Sequence, residues 1–217
     1  MIKRTTYYAL LLLSFLLIGG CKSKEEKAES LIRSELEKSL YDFDSYKPIE
    51  TKVTEAKQVA LNDSATWTRA FALAAALNSV TKLSDEMKNA EERMDIWGAP
   101  TSYSSSYSDK QYYKYRDEYN ENKAHFIIAV PLVKTLGESL TERLDSLDKN
   151  KVIGWEVYHT FRCKTRGGNN DIGQFRYILS SDFKSVLFRE DMDDKKYRDI
   201  RELIEGVEKG RIIFDEL

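Results

Sequence analysis

The chain has 217 residues, with 34 Lys and Arg against 36 Asp and Glu and only 3 Pro. A composition of 41% hydrophobic and 32% charged residues excludes disordered and collagen-like chains. A formal net charge of −2 leaves no general basic surface, so no nucleic-acid partner is expected, and two cysteines cannot build a disulfide-rich scaffold.

Residues 1–20 stand apart from the fold. Lys3 and Arg4 form a short basic stretch, Ala9 to Ile18 is apolar except for Ser14, and Gly19-Gly20 follow. That apolar run is too short to cross a bilayer core of about 30 Å, and its basic, apolar, small-residue order is that of a secretory signal peptide. Leu17-Ile18-Gly19-Gly20-Cys21 resembles a bacterial lipobox, with Ile18 where Leu is usual. The resemblance implies that the Cys21 thiol carries diacylglycerol, that a lipoprotein signal peptidase cuts before it, and that the new amine is often acylated too. Two or more acyl chains give stable anchoring where one is marginal. The expected mature protein is a soluble domain held by lipid on the bacterial outer membrane, at the cell surface or facing the periplasm. No Asp follows Cys21, which in enteric lipoproteins would signal inner-membrane retention. Lys24-Glu25-Glu26 resembles the Lys-acid-acid export signal of Bacteroidetes surface lipoproteins. Cys163 is then the one cysteine with a free side chain, expected on the apolar face of a strand as an inert thiol.

Residues 25–40 read as a helix, with Ala28, Leu31, Ile32, Leu36 and Leu40 on one face. Residues 49–57 alternate loosely and suit a first strand. Asn62-Asp63-Ser64 offers caps for a helix over 64–97, whose Leu73, Leu77, Val80, Leu83, Met87, Ala90, Met94 and Trp97 recur at steps of three and four. Gly98-Ala99-Pro100 stops it. A second helical segment is expected from about Asp109 to Leu147, kinked or split by Pro131, with residues 125–130 as an alternative short strand. From Lys151 the period changes to two: Ile153, Trp155, Val157, His159, Phe161 and Cys163 face one way. Arg166-Gly167-Gly168-Asn169-Asn170-Asp171 is a turn. Strands over 172–179 and 185–189 complete a meander, and Asp193 or Asp194 caps a last helix carrying Tyr197, Ile200, Leu203, Ile204 and Val207.

The fold class expected is α+β: an antiparallel sheet of about four strands, N- and C-terminal helices, and a long helical-hairpin insertion. By segments, 1–20 is the signal peptide, 21–29 a lipidated tether, 30–61 with 150–217 the α+β domain, and 62–149 the inserted hairpin.

Leu40–Tyr46, where a first helix ends in Asp-x-Asp-Ser-Tyr, and His159-Thr160-Phe161-Arg162-x-Lys164, leading into a Gly-rich turn, resemble segments of small lipoproteins of Bacteroidetes-like bacteria. That resemblance implies a location and no chemistry.

Catalytic constellations are not evident. His125 and His159 have no second ligand at metal spacing, so no metal is expected. There is no Gly-x-Ser-x-Gly elbow and no P-loop, and Gly167-Gly168 opens no helix, so no cofactor is expected. Acid pairs such as Glu91-Glu92 and Asp193-Asp194 read as solvated surface. Two groups can bind. Arg162, Lys164 and Arg166 line a strand face beside the Gly-Gly-Asn-Asn turn, whose amides suit an anion or an acidic partner. Tyr103, Tyr107, Tyr112 and Tyr113 crowd a Ser-rich loop, and Tyr with Ser makes adaptable contact surfaces. The function expected is non-enzymatic: an envelope lipoprotein acting in binding or assembly, with the membrane and a protein or glycan as partners. A cell-envelope glycan hydrolase and an immunity or inhibitor lipoprotein are the alternatives.

Cys21→Ala is expected to abolish acylation and leave the precursor uncut, read by metabolic labelling with a fatty-acid analogue. Equal label in both proteins would remove the anchor.

Overall fold

The computed structural model describes residues 22–212 and Phe214. Residues 1–21, which hold the expected signal peptide and Cys21, lie outside the described residues. In chain order the elements are α1 (Lys24–Ser39), β1 (Lys47–Lys57), α2 (Ser64–Trp97), α3 (Ser106–Asp145), β2 (Val152–Lys164), β3 (Asn170–Leu179), β4 (Val186–Asp191) and α4 (Lys195–Glu208). The fold is the expected α+β, with a four-stranded antiparallel sheet in the order β1-β2-β3-β4 and a helical hairpin of α2 and α3.

The chain divides into two compact units. The first holds the described residues up to Glu55 together with Gly154–Arg189; the second holds Ala56–Ile153 and the described residues from Glu190 onward.

In the first unit α1 covers one face of the sheet. Ala28, Ile32 and Leu36 recur at steps of four and are fully buried, against Tyr46, Val157, Phe161, Tyr177 and Leu179. Removing the side chain of Ile32 or Leu36 beyond Cβ would cost about 2–5 kcal/mol. The helix begins at a capping box: Ser23 Oγ accepts from Glu26 N at 3.1 Å, and Ser23 N donates to Glu26 Oε2 at 3.0 Å. Residues 24–29, placed in the tether by the sequence, are therefore the first turns of α1. β2 and β3 pair antiparallel with Trp155 opposite Leu179 and Lys164 opposite Asn170. Gly154, at φ +153°, lies so close to the Leu179 carbonyl that a Cβ would overlap it, so only glycine lets the two strands meet there. Pro48 sits near the start of edge strand β1, where a missing N–H is tolerated.

The turn from β3 to β4 is bonded to itself. Ser180 Oγ accepts from the backbone N of Lys184 at 3.1 Å and of Ser185 at 3.0 Å. Phe183 is held there at φ +57°, a left-handed conformation that is costly for an aromatic residue, on the order of 1–3 kcal/mol.

In the second unit α2 spans residues 64–97 as the sequence predicts. Asp63 caps its start, and Gly98, at φ +68°, ends it. α3 is one continuous helix, not split at Pro131, and 125–130 is helical. Proline is tolerated because residues 127, 128, 131 and 132 face solvent, where the carbonyl left without its N–H partner can meet water. The buried residues of the hairpin concentrate at its base: Trp67, Ala70, Leu73 and Ala76 of α2, and Val133, Gly137, Leu140 and Leu144 of α3. Toward the tip only Ala90 is buried. α4 packs against α2, burying Ile200, Ile204 and Val207 and setting Tyr197 edge-on to Phe71 at 5.5 Å. The closing helix, grouped by the sequence with the flanking domain, thus belongs to the unit of the hairpin, because its apolar stripe is buried there.

Replacing residues 91–117 by a short Gly/Ser linker removes no buried residue. The shortened chain should fold with a melting temperature within a few degrees of the parent, measured by circular dichroism. A large drop would show that the distal hairpin supports the base.

Candidate functional site

The hairpin tip is the most exposed aromatic surface. Thr101–Ser105 forms the loop between α2 and α3. Thr101 N donates to Ser104 Oγ at 3.0 Å, Ser104 Oγ donates back to Thr101 O at 2.8 Å, and Ser105 Oγ caps α3 by accepting from Ser108 N at 3.1 Å. Tyr103 projects from this braced loop at 97% exposure and Tyr107 at 63%. Tyr107 also meets Trp97 edge-on at 5.5 Å, Tyr112 meets Tyr113 at 5.8 Å, and the Arg116 guanidinium lies 4.6 Å over Tyr113. Tyr103, Tyr107, Tyr112 and Tyr113 therefore share one end of the hairpin, with Tyr112 the least exposed.

The basic turn is less of a site than its sequence suggests. Arg162 and Lys164 are exposed on β2, but Arg166 lies past the strand end with its guanidinium 5.6 Å over the Tyr41 ring. One of the amides expected to cradle an anion is used within the turn itself: Gly168 N donates to Thr165 O at 2.9 Å, and the turn is closed by Thr165 N donating to Asn169 O at 2.9 Å.

His159 is 1% exposed, and both its ring nitrogens are occupied. Its Nε2 is hydrogen-bonded to the Tyr46 hydroxyl and its Nδ1 to the Thr51 hydroxyl, each at 2.9 Å. Burial holds its pKa down at about 4, so it is neutral at pH 7, and burial pushes the Tyr46 phenol up to about 12. Ser45 Oγ accepts from Lys164 N at 2.7 Å, and the Tyr46 and Phe161 rings lie 5.6 Å apart. The 40–46 and 159–164 segments thus fasten to one another in the first unit. Tyr177 is fully buried beside them, its phenol pushed up by burial. Cys163 is half-buried and its thiol is likewise raised, by burial first and then by Asp171 and Asp42, which leaves it a poor nucleophile.

Of the acid pairs, Asp194 caps α4 by accepting from Lys196 N at 2.7 Å, and Glu91 and Glu92 are exposed. Among the described residues no three His, Cys, Asp or Glu side chains are placed to hold a metal, and no helix is long and apolar enough to cross a membrane.

The sequence reading missed an open groove of about 760 Å³ between α2 and α4, with Phe71, Leu77, Ile200 and Leu203 among its walls and Lys195 and Lys196 at its rim. Its one sequence signal was a pair of lysines in a first helical turn, where acids are favoured. The chain matches no protein family, no characterised protein and no solved structure.

Because the folded pKa of His159 lies below the ordinary 6.5, its neutral form stabilises the fold fully above pH 6.5. As pH falls toward 4 the unfolded chain takes up a proton that the folded chain refuses. The resulting loss is about 1.4 kcal/mol per pH unit, on the order of 3 kcal/mol in all. Urea unfolding at pH 7 and pH 4.5 should therefore show a smaller acid loss in His159→Gln than in the parent. Equal slopes would assign the acid sensitivity elsewhere.

Proposed function

We propose that the chain is a lipid-anchored envelope protein of the bacterial outer membrane that acts by binding or assembly rather than by catalysis. The anchor reading comes from the Leu17–Cys21 segment. The binding reading is carried by the hairpin tip, where a loop fixed by its own hydrogen bonds presents Tyr103 and Tyr107 to solvent. Aromatic side chains give large contact area at low entropic cost, and a braced loop loses little freedom on association. The partner chemistry that fits is a protein surface or the face of a sugar ring. Support for catalysis is correspondingly thin: the buried histidine is bonded on both nitrogens, the free thiol is raised, and Asp194 is committed to capping a helix.

Crosslinking and pull-down from intact cells with the acylated full chain tests the binding surface. Tyr103→Ala combined with Tyr107→Ala should reduce partner recovery at least about ten-fold, the size expected for loss of a hot spot of 1.4 kcal/mol or more. Arg162→Glu combined with Lys164→Glu should leave recovery unchanged. The reverse pattern would move the contact surface to β2 of the first unit.

A further inference from the structure

We propose that the end of the first unit around the start of α1 is a membrane-seating surface, which rests on anionic lipid headgroups and fixes the orientation of the unit on the bilayer. This inference builds on acylation of Cys21.

The first observation is one of reach. α1 begins at Lys24, and the capping box between Ser23 and Glu26 holds its first turn. Only three residue steps separate Lys24 from Cys21, at most about 11 Å of extended chain. A cysteine embedded by its acyl chains therefore brings the start of α1 to headgroup depth, with no long tether to let the domain drift away.

The second observation is what surrounds that point. Trp155 lies under the Lys24 ammonium, 3.9 Å from its ring centroid, and is stacked on Phe183 at 5.5 Å with the planes 10° apart. The indole N–H donates to Ser181 O at 3.1 Å, which fixes the ring. An open groove of about 510 Å³ adjoins them, with Leu31 and Phe183 as its apolar walls and Lys22 and Lys27 at its rim. Tryptophan, phenylalanine and lysine around an open groove are the residues that partition to the headgroup layer, the rings into its apolar side and the ammonium groups onto phosphate. Phe183 makes this stack from a left-handed backbone, φ +57°, in a turn where glycine would be unstrained.

The third observation is charge. Lys22, Lys24 and Lys27 are exposed, and among the described residues none has a carboxylate at ion-pair distance. Of the acids beside them, Glu26 Oε2 accepts from Ser23 N and Asp182 accepts from Ser180 Oγ and Lys184 N, while Glu25 is exposed and Glu29 half-buried in the same turns. The end therefore offers the ammonium groups of Lys22 and Lys27, beside the Lys24 ammonium held over Trp155, where the chain meets the membrane. Seated this way, Lys164 stands about 30 Å along β2 from Trp155, clear of the headgroups.

The test uses the full acylated chain carrying Cys163→Ser, with either Ser181→Cys or Lys164→Cys bearing an environment-sensitive fluorophore. It is reconstituted into vesicles of phosphatidylethanolamine and phosphatidylglycerol containing a lipid spin-labelled near the headgroup. The label at 181 should be strongly quenched and the label at 164 should not. Lys22→Glu, Lys24→Glu and Lys27→Glu together should lower quenching at 181 at least about three-fold, with flotation on the vesicles unchanged. Absent quenching at 181 on a chain that still floats, or equal quenching at both positions, overturns the seating surface while leaving the anchor intact. Shielding of 181 in intact cells without quenching in vesicles assigns the surface to a protein and also overturns it. A purified chain whose mass shows no acyl group removes the anchor, and the seating surface with it.

Discussion

The reach of the second unit depends on one carboxylate. Asp63 accepts four hydrogen bonds: from Thr66 N at 2.8 Å and Thr66 Oγ1 at 2.9 Å at the start of α2, and from Arg143 Nη2 at 2.7 Å and Nε at 2.9 Å near the end of α3. It therefore caps one helix of the hairpin and clamps the other. Burial alone would raise its pKa, but the Arg143 and Thr66 bonds outweigh that and hold it below the ordinary value. The clamp sits where the apolar contacts are dense, and Arg69 Nε donates to Ser139 Oγ at 3.2 Å two turns further along. Beyond Ala90 the helices have little core to hold them, and ring contacts such as Arg93 over Tyr115 at 5.1 Å take over. A tip rich in exposed tyrosine is sustainable only because register is set at the base.

The first unit is organised around a different polar group. Asp42 accepts from Ser45 N, Ser45 accepts from Lys164 N, and Tyr46 reaches His159. These residues form a latch between the segment that follows α1 and strand β2. A neutral histidine bonded on both sides by hydroxyls is well matched to a core, since neither nitrogen is left unpaired.

Local signals were legible and tertiary ones were not. The bounds of α2 were readable because Asp63 acts locally through its carboxylate and Gly98 through its own backbone, and the inward row of β2 was readable because a strand alternates. His159 was correctly placed on the apolar face, although Tyr46 and Thr51, more than a hundred residues away in sequence, could not be named as its partners. Pro131 misled because a proline breaks a helix only where the lost bond cannot be replaced, and its exposure is a tertiary fact. Residues 25–29 were legible as the start of a helix, although the same residues were also assigned to the tether, and the capping box of Ser23 with Glu26 places them in α1. Arg166 was grouped with Arg162 and Lys164 by spacing, but the strand ends at Lys164. The placement of α4 depended on which apolar stripe would receive its own, which periodicity does not encode.

The capping box at the start of α1 also bears on how the proposed anchored chain could be released from a membrane. Endoproteases cut extended, accessible chain, and several residues must fit the cleft in that form. Between Cys21 and α1 only Lys22 and Ser23 are outside a helix, and Ser23 is bonded through both its N–H and its hydroxyl. A chain anchored at Cys21 would therefore resist shedding as an intact domain. Cleavage in the loop after Gly98 or the turn after Thr165 would nick it and leave α1 in place.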